Sequence, residues 1–420
     1  MKYFDMSKDE AKALLAKLYE EYDAVKAKKL SLDMSRGKPC NEQLDLSSEM
    51  LVNLTADDFK NNSYRNYGIL DGIPECKKLF AELTGVKEEN VIIGGNSSLN
   101  MMYDTLARCM LYGFAGGKPW CREEKVKFLA PVPGYDRHFA VCQSLGIEMI
   151  NVPMTENGPD MDIVEKLVAS DESIKGMWNV PKYSNPDGYV YSAETVKRLA
   201  KMECKAKDFL LMWDNAYIVH SLYGDAAEIP EILSECEKAG NPDRVIEFVS
   251  TSKISFPGAG VAALISSKAN IDAIKKIMTC QTIGHDKINQ LRHVKYFGDA
   301  AGLVKYMKKH ADILRPKFEI VDTLLESELG ALGVARWTKP EGGYFVSFYV
   351  ENGCAKRTVA LCKEAGVVLT GAGAAYPYGK DDSDSNIRIA PSLPPVDELR
   401  EAISVLCLCT KIAVLEKITA

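Results

Sequence analysis

Lys253 closes an apolar run, which is an expensive place for an ammonium group. It lies in VSTSKISFPGAG (residues 249–260), directly after the run 245–249 and the polar triplet Ser250-Thr251-Ser252. Such a lysine either swings out to solvent or is kept where a partly desolvated amine is useful. A desolvated amine attacks carbonyl carbons and carries protons. Other polar groups follow other apolar runs in the same way. Asn96, Ser97 and Ser98 follow 91–93, and Tyr135 and His138 follow 126–130 within PVPGYDRH. Asn185 comes just after 174–180, and Asp214 and Tyr217 follow 209–213.

These runs, with 147–152 and 261–265, alternate with helical stretches and are apolar on both faces. That pattern predicts an α/β protein with a mostly parallel, seven-stranded sheet between helices. In such a sheet, ligands bind beyond the carboxyl ends of the strands, where these polar groups fall. Each segment alone also fits a structural role. GGNSS can be a plain strand-to-helix turn with a serine cap, Asp214 a helix cap, and Tyr217 a core residue. As a set they match one cofactor, pyridoxal 5′-phosphate. It needs a lysine for its aldehyde, a carboxylate for its ring nitrogen, and a helix N-terminus with hydroxyls for its phosphate.

The remaining sequence supplies supports and exclusions. Ser7-Lys8-Asp9-Glu10 has the form of a capping box before a helix carrying Leu14, Leu15, Leu18, Tyr19 and Tyr22. Leu303, Tyr306, Met307, His310, Leu314, Phe318, Val321, Leu324 and Leu325 mark one face of a long helix, which Pro316 should kink. Segments 342–350 and 366–371 read as strands, and a last helix opens at Pro395. With 420 residues, one large and one smaller domain is the natural expectation. A net charge of −6 offers no basic footprint for nucleic acid. No apolar run is long enough to span a bilayer, and the start resembles no signal peptide. Twelve scattered cysteines and five histidines show no metal-ligand spacing, so free thiols in a reducing cytoplasm are expected and no metal.

The ordered set Tyr67…Gly72, PxPGY, Asn185-Pro186-x-Gly188, Asp214-x-x-Tyr217, Ser250-x-Ser252-Lys253 and Arg388 resembles the fold-type I, class I aminotransferases. The likeness runs from about Gly37 to Arg388. SRGKP, PGYDRHF, TSKISFPGAG and DKINQLRH are similar to the MocR-like branch, whose characterised members include bacterial aspartate aminotransferases. The resemblance implies a large cofactor domain over 51–305, a small α/β domain over 306–420, and a 1–50 arm that joins the small domain. It also implies a homodimer with shared active sites.

By the same resemblance, Lys253 would hold the coenzyme as a Schiff base and, once displaced, shuttle the substrate proton. Asp214 would pair with the ring nitrogen, with His138 orienting Asp214. Tyr135 would stack on the ring, and Asn185 and Tyr217 would bond its phenolate oxygen. Asn96, Ser97, Ser98, Ser250 and Ser252 would hold the phosphate, joined by Tyr67 from the neighbouring subunit. Arg388, helped by the backbone near Gly37, would clamp the substrate α-carboxylate, with Arg36 a candidate for a distal carboxylate. One position departs from the pattern. Many members carry a phosphate-binding arginine eight residues past the lysine, where this chain has Val261. Lys287 or Arg292 is expected to supply the missing charge, from the same or the partner chain; a solvated helix start at Asp286-Lys287 is the plainer alternative. Transfer from aspartate to 2-oxoglutarate is the expected reaction. Alternatives are an aromatic or alanine transaminase, a carbon–sulfur lyase, and a MocR-type effector module. The acidic charge and short N-terminal helix argue against the last.

Overall fold

The computed structural model describes residues 2–420. All seven apolar runs form strands of one sheet. Its spatial order is Val91–Ile93, Ala262–Ser266, Val245–Ser250, Leu210–Asp214, Ile174–Asn179, Lys127–Val132, Glu148–Thr155 and Gly158–Pro159. Strands from Val245–Ser250 through Glu148–Thr155 run parallel, while Ala262–Ser266 is antiparallel to both neighbours. The sheet has eight strands rather than the seven expected, because Gly158–Pro159 folds back on Glu148–Thr155. Two residues, one a proline, carry no alternation for a sequence reading to detect.

Every residue of Ile174–Asn179, Leu210–Asp214, Val245–Ser250 and Ala262–Ser266 is buried, as a sheet covered on both faces requires. Period-two alternation sorts their side chains. Leu211, Trp213, Val245 and Val249 pack on one face, and Leu210, Met212, Ile246 and Phe248 on the other with Met102 and Leu106 of the helix Ser98–Tyr112. Connections leave Lys127–Val132 toward one edge of the sheet and Ile174–Asn179 toward the other. The crevice between these two strands is therefore the switch point where such sheets place ligands.

A third core lies beside the sheet. The helices Lys8–Ala27 and Val396–Thr419 pack there around an antiparallel sheet of Ala335–Trp337, Val346–Val350 and Asn386–Ile389. The N-terminal segment is tied in by Leu32–Asp33, which pairs in parallel with Val367–Val368. The Ser7 capping box is present: Glu10 N–H donates to Ser7 Oγ, and the Glu10 carboxylate accepts from Ser7 N–H at 2.9 Å. The helix Ala300–Leu329 joins the two bodies. Leu303, Tyr306 and Met307 sit in the core of the large sheet, and Leu314, Phe318, Val321 and Leu325 in the third core. It runs unbroken through Pro316. Pro395 occupies the N-cap of the last helix rather than its first turn. All twelve cysteines are free, with only Cys121 and Cys280 exposed. Among the described residues, no helix is long and apolar enough to cross a membrane.

Candidate active site

A cavity of about 500 Å3 opens at the carboxyl ends of the strands. Lys253, Asp214, Tyr217, Tyr135, Asn185, Arg388, Gly37 and Arg36 all line it. They come from separate segments of the chain: Asp214 ends its strand with Tyr217 just after it, Arg388 lies within the strand Asn386–Ile389, and the others lie outside strands. The Lys253 ammonium lies 4.9 Å from the centre of the Tyr217 ring. Burial lowers its pKa, and the charge of Asp214 opposes that shift. The amine is thereby brought toward the neutral form that attacks carbonyls. Burial raises Tyr217 well above its ordinary value and Tyr135 to about 12, so both phenols keep their protons.

Asp214 is 4% exposed and uses only one oxygen within the protein. Its Oδ2 faces His138 Nε2 at 2.9 Å, and its Oδ1 is buried without any partner. The His138 ring stacks on Trp178 at 4.1 Å, and Tyr135 meets its edge. An orphaned carboxylate oxygen is costly in a folded protein unless a ligand donor completes it. Arg388 shows the same incompleteness. Its Nη1 donates to Asp136 Oδ1 at 2.9 Å and Asn185 Oδ1 at 3.3 Å, while Nε is buried and unpartnered. Its guanidinium sits over the Phe345 ring. One corner of the fork is thus held, and the rest is free for a carboxylate.

The serine-rich turns do not line this cavity; Asn96 and Ser97 line a second one of about 260 Å3, and Ser252, next to Lys253, links the two loops. Ser252 Oγ donates to the Asn96 carbonyl at 3.1 Å, and Asn96 Nδ2 reaches the carbonyls of Pro257 and Gly258. Ser97 is the N-cap of Ser98–Tyr112 yet makes no side-chain cap bond, so its hydroxyl and the first helical N–H groups remain free. Ser250 is buried at the end of its strand. Val261 is 2% exposed and packs in the core, so no side chain from that position reaches an anion. Lys287 does not line the cavity. It is buried at the start of Lys287–Phe297, and its Nζ donates to the Gly68 carbonyl at 2.8 Å. Gln290 on the same helix accepts from Ile73 N–H at 2.8 Å. Arg292 and Tyr67 also lie outside the cavity lining, and Tyr67 is 83% exposed.

Asp136, Phe345, Lys38 and Arg137 line the cavity without having been singled out from sequence. The only signal for Asp136 and Arg137 was their place directly after Tyr135. Glu247, paired with Trp213 across the neighbouring strand, was also missed. It is 3% exposed, accepts from Asn215 Nδ2 at 2.7 Å, and burial pushes its carboxyl up to about 8. The folded chain then holds a proton that the unfolded chain releases near the ordinary value of 4.5. Stability from this site is complete below about 4.5 and is lost as pH rises through 8. Glu247→Gln removes that dependence. Calorimetry at two pH values should show its Tm gain over wild type larger at pH 8 than at pH 5. Equal gains would contradict the assignment.

A lysine amine and an orphaned carboxylate oxygen in one cavity, with an open helix N-terminus tied to the lysine loop through Ser252, fit a fold-type I pyridoxal-phosphate site. The comparisons agree with that class. The chain belongs to the aspartate amino-transferase family, whose model matches residues 6–420. A putative aminotransferase of Mycolicibacterium smegmatis is 48% identical, covering 99% of each chain. An aspartate aminotransferase of Corynebacterium glutamicum is 47% identical over 94% of this chain and 92% of its own. The crystal structure of an aspartate transaminase from Corynebacterium glutamicum superposes with a TM-score of 0.97 at 45% identity, covering 99% of each chain. The protein is a pyridoxal 5′-phosphate-dependent aminotransferase acting on amino acids and 2-oxo acids.

Proposed function

We propose that the chain moves the amino group of aspartate to 2-oxoglutarate, with Lys253, Asp214 and Arg388 as its principal groups. Bound pyridoxal 5′-phosphate supplies the aldehyde that receives the amino group and the ring that withdraws electrons from the substrate Cα. The single observation carrying the site assignment is the desolvated Lys253 amine sharing one cavity with the unpartnered Asp214 Oδ1. Lys253 Nζ takes the proton from the substrate Cα and returns it on the other side of the transfer. Asp214 would hold a negative charge against the ring nitrogen, with His138 keeping that carboxylate in place. Tyr217 and the Asn185 amide offer donors to the ring's phenolic oxygen. Ser97, Ser98, Ser250, Ser252 and Asn96 would hold the phosphate, with the first turn of Ser98–Tyr112 supplying N–H groups.

The choice of aspartate rests on the Corynebacterium relative and on charge. Exposed Arg36, Lys38 and Arg137 line the same cavity as Arg388, which suits a substrate with two carboxylates. A panel of amino donors with 2-oxoglutarate tests this. Aspartate should give the highest kcat/KM. An aromatic donor in first place, or release of pyruvate and ammonia without transfer, would refute it. Arg388→Lys keeps the charge but loses the planar fork, so KM for aspartate should rise by about 10- to 100-fold. Steady-state kinetics check this, and an unchanged KM would remove Arg388 from the α-carboxylate site.

We further propose a homodimer. Exposed Leu51, Val52, Tyr67 and Ile283 cluster around the Lys287–Phe297 helix. Asn53 donates to the Arg292 carbonyl, and Gly284 sits against the carbonyls of Gly68 and Ile69. Lys287 and Gln290 hold the loop that presents Tyr67, so the cation enters this reading as a support for a loop offered to the partner. Sedimentation equilibrium should give twice the chain mass, and a monomer would end this part of the reading.

A further inference from the structure

The main-chain carbonyl of Lys253 is held from two sides. Tyr344 Oη donates to it at 3.2 Å, and His220 Nε2 lies 3.3 Å from the same oxygen. Residues 251–255 belong to no helix or strand, so no regular ladder fixes this backbone. His220 follows Tyr217 on the cavity wall, whereas Tyr344 leads into the strand Val346–Val350 of the smaller sheet. The two segments are stitched together. Gly343 N–H donates to the His220 carbonyl at 2.9 Å, and a Cβ on Gly342 would lie 2.4 Å from that oxygen. Close approach therefore demands glycine here.

Behind Tyr344 the polar contacts continue. Gln43 Nε2 donates to Tyr344 Oη at 2.9 Å and lies 2.9 Å from His310 Nδ1. With its lone pair engaged by Gln43, the Tyr344 hydroxyl has its proton free for the lysine carbonyl. Tyr344, Gln43, His310 and His220 are each at most 3% exposed. Burial, with the charge of Lys253, pushes His220 down to about 3, so the ring stays neutral. Its single proton must then be on Nε2, because the facing carbonyl only accepts, and Nδ1 is left buried without a partner. One donor would satisfy a buried carbonyl. Two donors from different parts of the fold, one backed by a buried relay, amount to a clamp.

We propose that His220 and Tyr344 are positioning residues for the Lys253 amine, fixing its main chain so that side-chain torsions alone carry the amine through its working arc. Gln43 and His310 hold the Tyr344 hydroxyl in that role. The inference rests on Lys253 being the transaminating lysine. Positioning of this kind acts on turnover and on the attack of the amine on the coenzyme aldehyde, not on substrate affinity.

Tyr344→Phe removes one hydroxyl and keeps the ring. His220→Leu removes the other donor, while His220→Gln retains an N–H near Nε2. Two readouts apply: kcat and KM of the loaded enzyme, and the rate at which cofactor-free full-length protein captures pyridoxal 5′-phosphate, followed by absorbance. Tyr344→Phe and His220→Leu should each lower kcat by about tenfold with KM within about twofold, and slow capture by a similar factor. His220→Gln should stay within about threefold of wild type. If His220→Leu does not fold, Tyr344→Phe and His220→Gln still decide the matter. A Tyr344→Phe protein with wild-type kcat and capture rate overturns the proposal, as does a kcat loss matched by an equal rise in KM. Lys253→Ala is the control. If it is inactive while Tyr344→Phe is normal, only the clamp fails. If it keeps full turnover, the underlying reading fails as well.

Discussion

Lys253→Ala should lose at least about 10^4-fold in kcat for transfer from aspartate to 2-oxoglutarate. The mutation removes two services at once. In the proposed reaction the amine, which shares the cavity with Asp214, would serve both as the nucleophile and as the base that takes the substrate proton. Its pKa is lowered by burial, with Asp214 pulling the other way, so the balance favours an amine that titrates below an ordinary lysine. Lys253→Arg separates charge from basicity. A guanidinium keeps the positive charge but does not give up its proton near neutral pH, so it should be nearly as inactive as alanine. Pre-steady-state mixing with aspartate measures both variants. An alanine variant within tenfold of wild type would show that another group moves the proton. Weaker coenzyme retention should accompany the loss, because the covalent hold is gone while the phosphate contacts remain.

Much of this site is legible in the sequence because the strands are. Seven apolar runs locate the sheet, and the polar residues just past their ends pick out Tyr135, Asn185, Asp214 and Lys253, which line the cavity, without any knowledge of contacts. Parallel strands gather at one rim the loops that leave their carboxyl ends. The parts that were not legible depend on contacts between distant segments. Arg388 and Asp136 are 252 residues apart, and Tyr344 reaches the Lys253 carbonyl across 91. No local pattern marks either pair. Lys287 shows a different difficulty. Its position in DKINQLRH suggested an anion, but the register of its helix aims the ammonium at the Gly68 carbonyl. Charge type is visible in a sequence, and its direction is not. The strand Gly158–Pro159 escaped notice because two residues carry no alternation, and the cap at Pro395 lies one residue from the expected first turn, the usual limit of boundary reading.

The second large effect concerns Asp214, and its partners dictate its size. Oδ2 is engaged by His138 Nε2 at 2.9 Å and Oδ1 is free for the ring nitrogen of the coenzyme. In the proposed working state both neighbours would be donors. Asparagine offers one acceptor and one donor, so whichever way its amide turns, an N–H confronts another N–H. The negative charge that favours a protonated ring disappears as well. Asp214→Asn should therefore lower kcat by about 10^3-fold. Asp214→Glu keeps the charge with a longer reach and should recover part of that loss. His138→Leu removes the orienting contact to Asp214, along with the stacking on Trp178, and should cost about tenfold. An indirect effect through Lys253 can be separated by sign. Asp214 raises the Lys253 pKa, so its removal leaves that amine more readily neutral, which alone would help proton abstraction at neutral pH. A fall in rate must then come from the ring nitrogen losing its partner. Single-turnover rates with aspartate across pH 6–9 test this, and an asparagine variant within tenfold of wild type would dismiss Asp214 as the charge that drives the chemistry.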